Sequence, residues 1–166
     1  YFLLKYLSEE GASIVACDVD AKAIDRARKK YQFDLVDPKD IDGVDCDIFS
    51  PSAMGGAINS DSLSRLKAKV VAGAANNQLA SEKHGEEMFK RGIVYAPDYA
   101  INAGGLMNIY HEVGTYNQTQ AYDHVAGIYR TVELILERSK KENTPPHIIA
   151  DKMAEERIET ARKARG

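Results

Sequence analysis

The sequence has 166 residues and a formal net charge of −3, enough for one domain with its own core. That charge lacks the basic excess a phosphate-binding surface needs, so no nucleic-acid partner is expected. Hydrophobic residues make up 44% and charged residues 28%, the proportions of an ordinary globular domain. No apolar run approaches the roughly 20 residues of a membrane helix, and residues 1–11, with Lys5, Glu9 and Glu10, carry no signal-peptide pattern.

Phe2, Leu3, Tyr6 and Leu7 form an apolar helical face with no capping residue ahead of them. Together with the missing initiator methionine, this predicts chain preceding Tyr1. The helix stops at Gly11, the usual left-handed stop residue. Residues 13–17, nearly all apolar, read as a parallel strand covered on both faces. The strand leads to Asp18–Val19–Asp20, where Asp20 can cap a helix over 21–31. Residues 33–36 read as a strand, 37–45 as a polar connection and 47–49 as a buried strand. A short helix over 60–66, a strand over 70–73, a helix over 82–91 capped by Ser81 and closed by Gly92, and a strand over 93–95 follow. The remainder is helical: 103–113, then 117–140 with Ala121, Val125, Ile128, Val132 and Ile135 inward, then a helix from Pro145 with Ile148, Ile149, Met153, Ile158 and Ala161 inward. Alternating strands and helices predict an α/β fold, a Rossmann-type doubly wound parallel sheet.

Such sheets bind ligands at the carboxyl ends of their strands. Asp18 can accept hydrogen bonds from ribose hydroxyls and repel a 2′-phosphate; it can equally be a solvated turn residue. The loop Ser52–Ala53–Met54–Gly55–Gly56 admits close approach of a ligand to backbone, or is a tight connection. Asn76 and Asn77 offer amides that donate and accept, yet paired asparagines are also common turn residues. Asn102–Ala103–Gly104–Gly105 starts a helix with two glycines, each costing roughly 1 kcal/mol relative to alanine. That start suits a flat ring lying against backbone, or an Asn102 cap at a packed helix crossing. His84, His111, His124 and His147 are scattered and receive no role. The series from Glu155 to Arg165 reads as a solvated helix face. Cys17 and Cys46 read as buried free thiols in a reducing cytoplasm, and no metal site is expected.

CDVDAKAIDRA from Cys17, DIFSPSAMGGAIN from Asp47, LKAKVVAGAANNQL from Leu66, HGEEMFKRGIVYAPDYAINAGGLMN from His84 and ADKMAEERI from Ala150 together resemble the C-terminal domain of the glutamate/leucine/phenylalanine/valine dehydrogenase family. The resemblance covers practically the whole chain. It implies oxidative deamination of an L-amino acid to a 2-oxo acid and ammonia, with hydride passing to NAD. It implies that Asp18, with Val19 beside it, binds the adenosine ribose and that Ala53 and Met54 line the adenine–ribose side. Ala75 and Asn76 then contact the nicotinamide ribose region, and Asn102 lies at the nicotinamide and the substrate. The family's glycine-rich phosphate loop and its catalytic lysine and aspartate are not found in this sequence. The chain alone is therefore expected to be inactive and to bind NAD weakly.

Where glutamate-specific members of the family have a serine, this sequence has Ile109. With Leu106 one turn earlier, an apolar pocket for an aliphatic side chain is expected, leucine first, with phenylalanine or valine as alternatives; both residues can equally be ordinary helix core. An NAD-sensing domain without chemistry is the rival of another class. Residues 1–143 are expected to form the NAD-binding domain, and 144–166 a helix packing toward the substrate domain. The resemblance further implies a homo-oligomer, possible as an octamer.

Overall fold

The computed structural model describes residues 1–164. Arg165 of the charged series and the last two residues of the expected 144–166 helix lie outside the described residues. The chain divides into two compact units, Tyr1–Val44 and Asp45–Gly166, each with its own parallel sheet.

In the first unit, α1 (Phe2–Glu9) is followed by Gly11 at φ 75°, a conformation glycine adopts without a Cβ clash. Strand β1 (Val15–Ala16) precedes α2 (Ala21–Arg28). The Asp20 carboxylate accepts a hydrogen bond from the Lys22 backbone N–H at 2.9 Å, the capping expected of it. Strand β2 (Asp34–Leu35) pairs with β1 in parallel, Val15 opposite Asp34. Two expectations are corrected here. Val15 and Ala16 are half-buried rather than covered on both faces, and the apolar face of α1 contributes no buried residue, Phe2 being 76% exposed. A two-stranded ladder of this length covers too little surface to bury a neighbouring helix. Cys17, also half-buried, keeps its thiol proton, because burial and then the charges of Asp18 and Asp37 raise its pKa.

The second unit runs β3 (Ile48–Phe49), α3 (Ser60–Arg65), β4 (Val70–Val71), α4 (Glu82–Lys90), β5 (Val94–Tyr95), α5 (Asp98–Ile101), α6 (Gly104–Glu112), α7 (Gln118–Glu142) and α8 (Pro146–Lys163). Its sheet has the order β3-β4-β5, all parallel, with Ile48 opposite Val70 and Val70 opposite Val94. Ile58, Leu63, Val71, Met88 and Tyr95 form the core against this sheet. Three helix starts, those of α3, α4 and α7, are capped by side chains. Asn59 accepts from the Asp61 and Ser62 backbone N–H groups, and Asn117 from that of Gln120. At α4 the His84 imidazole accepts from the Ser81 backbone N–H at 3.1 Å, giving this buried histidine a structural task.

Three further differences from expectation are physical. Ile48 is 57% exposed because β3 pairs with β4 on one side only. Helix α5 falls between the strand over 93–95 and the helix over 103–113, where no element is expected, since four residues give no periodicity. In α8, Ile149 and Ala150 pack with Ile135 of α7, but Ile158 is 52% exposed and Ala161 is exposed too. Apolar spacing marks a face without supplying a neighbour. Among the described residues no helix is long and apolar enough to cross a membrane.

His147, at the start of α8, is buried against Gly85, and neither ring nitrogen has a hydrogen-bond partner among the described residues. Burial lowers its pKa, while Asp151, Glu82 and Glu86 push the other way without outweighing it. The folded state therefore holds a neutral imidazole, and the unfolded chain binds the proton first. Stability is full above the unfolded value of 6.5 and is lost as pH falls below it. The expected result is a melting temperature that drops on acidification from pH 7 to 5, with a shallower drop in His147→Leu; equal slopes in calorimetry would refute this.

Candidate cofactor site at the strand ends

The carboxyl ends of β3, β4 and β5 lie together in the second unit. The segment after β3 runs against the segment after β4, backbone to backbone. The Ala75 N–H donates to the Pro51 carbonyl at 3.0 Å, and the Gly56 N–H to the Asn77 carbonyl at 2.7 Å. A Cβ on Gly73 would stand 2.1 Å from the Pro51 oxygen, and one on Gly55 2.9 Å from the Asn76 oxygen. Glycine at both positions is thus a condition of this contact.

The turn after β4 is tied from inside. Gln78, fully buried, donates through Nε2 to the Gly73 carbonyl at 2.7 Å and the Ala75 carbonyl at 3.0 Å. Asn77 takes a left-handed φ of 52°, a region asparagine tolerates better than most residues. Its N–H donates to Asp98 Oδ2 at 2.8 Å. Asp98 Oδ1 accepts from the Tyr95 hydroxyl at 2.6 Å. Burial, and then that bond to Asp98, hold the Tyr95 pKa above its ordinary value, so the phenol remains the donor.

Asn76 and Asn102 are brought together: Asn102 Nδ2 donates to Asn76 Oδ1 at 2.7 Å. Asn102 ends α5 and does not cap α6; the residue before α6 is Ala103, which makes no side-chain cap. The two glycines divide their tasks. A Cβ on Gly104 would lie 3.5 Å from Val125 Cγ1 of α7, the packed crossing, whereas Gly105 faces open space. Ala75 is buried, while Ala53 and Met54 stand exposed in the loop after β3, Met54 at 81%. Leu106 and Ile109 share the outer side of α6 at 74% and 58% exposure and enclose no pocket by themselves.

In the first unit, Asp18 and Val19 follow β1 and are exposed. The Asp18 carboxylate accepts from the Asp20 N–H at 2.9 Å, a turn contact that leaves its other oxygen open. In the second unit the amides of Asn76 and Asn102 and the bare backbone of Gly105 are chemistry that fits hydroxyls and a carboxamide; in the first, the Asp18 carboxylate is chemistry that fits hydroxyls. Sequence reasoning passed over Asp98, Tyr95 and Gln78. The signal for Asp98 was present, since it is an acid just past a strand end, as Asp18 is.

A family model described as Glutamate/Leucine/Phenylalanine/Valine dehydrogenase matches residues 3–166. The leucine dehydrogenase of Geobacillus stearothermophilus is 47% identical over 165 residues, which are 99% of this chain and 45% of that protein. The crystal structure of L-tryptophan dehydrogenase from Nostoc punctiforme superposes with a TM-score of 0.92 at 38% identity, covering 95% of this chain and 48% of that one. The hetero-hexameric glutamate dehydrogenase from Thermus thermophilus shares the fold, with a TM-score of 0.65 at 20% identity over 88% of this chain and 37% of its own. The parallel α/β architecture is that of a dehydrogenase, and the chain belongs to the glutamate/leucine/phenylalanine/valine dehydrogenase family. It spans about half the length of the curated relatives it matches.

Gly73→Ala should disrupt the strand-end contact, because the atom it strikes belongs to the Pro51 backbone. A loss of about 3 kcal/mol or more in urea unfolding is expected; a change below about 1 kcal/mol would show that the two segments can part freely.

Proposed function

We propose that this chain is the C-terminal NAD-binding domain, Rossmann-type and doubly wound, of an amino-acid dehydrogenase acting on branched-chain L-amino acids, leucine first. The observation that carries the proposal is the Asn76–Asn102 pair at adjoining strand ends, beside a glycine whose face is open. NAD, when bound, supplies the hydride acceptor. Asp18 and Val19 serve the adenosine ribose, and Ala53 and Met54 the adenine–ribose side. Ala75 and Asn76 serve the nicotinamide ribose, and Asn102 the nicotinamide and the substrate. Residues 1–143 belong to the NAD-binding domain, and 144–166 lead toward the substrate domain. No side chain of this chain is assigned as catalytic acid, base or lysine.

Leucine as substrate is supported by the leucine dehydrogenase at 47% identity, compared with 37% for the phenylalanine dehydrogenase of Thermoactinomyces intermedius. The bare apolar side chains of Leu106 and Ile109 suit an aliphatic substrate and offer a glutamate carboxylate no hydrogen bond. The aromatic relatives make phenylalanine the second reading. The family resemblance supports a cytoplasmic homo-oligomer, with an octamer as the form to test by light scattering.

The test is NAD reduction by the intact protein with leucine, valine, isoleucine, phenylalanine and glutamate at equal concentration. Fast turnover of the branched-chain set with glutamate inert is expected. Preference for glutamate would sink the pocket reading, and no turnover with any of them would favour an NAD sensor. In the same assay Ile109→Ser should lower kcat/KM for leucine about tenfold; an unchanged value would remove Ile109 from the pocket.

A further inference from the structure

Asp98 is buried, being 8% exposed, yet it lies on the first turn of a four-residue helix and is no part of the hydrophobic core. Its carboxylate fastens two neighbours, the Tyr95 hydroxyl at 2.6 Å and the Asn77 N–H at 2.8 Å. Its backbone fastens a third, since the Asp98 carbonyl accepts from the Asn102 N–H at 2.8 Å. Asn77 follows Asn76 directly, and the Asn76 and Asn102 side chains meet at 2.7 Å. The contacts close a circuit: side chain of Asp98 to Asn77, chain to Asn76, amide to Asn102, backbone to Asp98. One residue thus fixes the bases from which both asparagines project.

We infer that Asp98 is a positioning residue for the cofactor, which sets the aim of Asn76 by holding Asn77 in its left-handed turn; the inference rests on the nicotinamide-site reading given above. Asn77 at φ 52° sits in a sparsely populated region that persists only when its surroundings enforce it. The Asp98 acceptor is the enforcement that the structure provides. An asparagine there keeps the shape and can still accept from Tyr95. It then turns an NH₂ toward the Asn77 N–H, and two donors face each other.

The test is a double-mutant cycle on the intact protein that carries this chain, with NADH titrated and its nicotinamide fluorescence followed. Asp98→Asn is expected to weaken NADH binding about tenfold. In an Asn76→Ala background the same substitution should change affinity less than about twofold, because Asp98 acts through Asn76. An equal loss in both backgrounds, or no loss in either, overturns the inference, since a merely structural residue keeps its effect whatever stands at 76. Absence of NADH binding by the unaltered protein overturns the underlying cofactor reading instead. Should Asp98→Asn fail to fold by circular dichroism, Tyr95→Phe takes its place in the cycle. It removes one of the two donors on the carboxylate, and a roughly threefold loss that vanishes in Asn76→Ala is expected; a loss that persists, or none, overturns the inference.

Discussion

Two stretches of backbone touch without a side chain between them, and the strand-end region depends on that contact. Residues after β3 lie on residues after β4 because Gly73 and Gly55 have no Cβ to hold them apart. The exchange of hydrogen bonds between Pro51 and Ala75, and between Gly56 and Asn77, continues the parallel ladder past the end of the strands. Backbone groups that would otherwise be left unpaired at a sheet end are satisfied there. The result is a stiff platform of loops, which is where α/β sheets place their ligands.

Buried polar groups finish the platform. Gln78 ties the carbonyls of Gly73 and Ala75 from below, and His84 ties the start of α4 to Ser60 and Ser81. Each group is costly to bury alone and inexpensive when paired, so each fixes one arrangement of its neighbours. Leu106 and Ile109 on α6 contrast with these, since both are bare. Polar groups that orient a dinucleotide need fixed directions, whereas apolar groups that select an aliphatic side chain need only area and shape. In the proposed enzyme the first task falls to the strand ends and the second to the exposed side of α6.

Much of this was legible in the residues. Asp20 caps the helix it is expected to cap, and Gly11 and Gly92 sit at positive φ where helices are expected to stop. Strand ends selected Asn76 and Asn102, which the structure joins. What stayed hidden shares a cause: it depends on contacts distant in sequence. Asp98 reads as an ordinary turn acid until the turn after β4, about 20 residues earlier in the chain, folds onto it. Helix α5 is too short for any period to show. Ile158 and Ala161 keep helical spacing yet stay exposed, because spacing specifies a face and says nothing of what lies opposite. The cysteines, expected to be buried, are half-buried and free, with Cys46 packed against the core of the second unit.

The most direct measurement is a crystal structure of the intact protein with NADH bound. The account predicts the nicotinamide end of the dinucleotide at the ends of β4 and β5, against the open face of Gly105 and within hydrogen-bond reach of Asn76 and Asn102. A dinucleotide seated away from those strand ends, with the Asn76–Asn102 pair untouched, would contradict it.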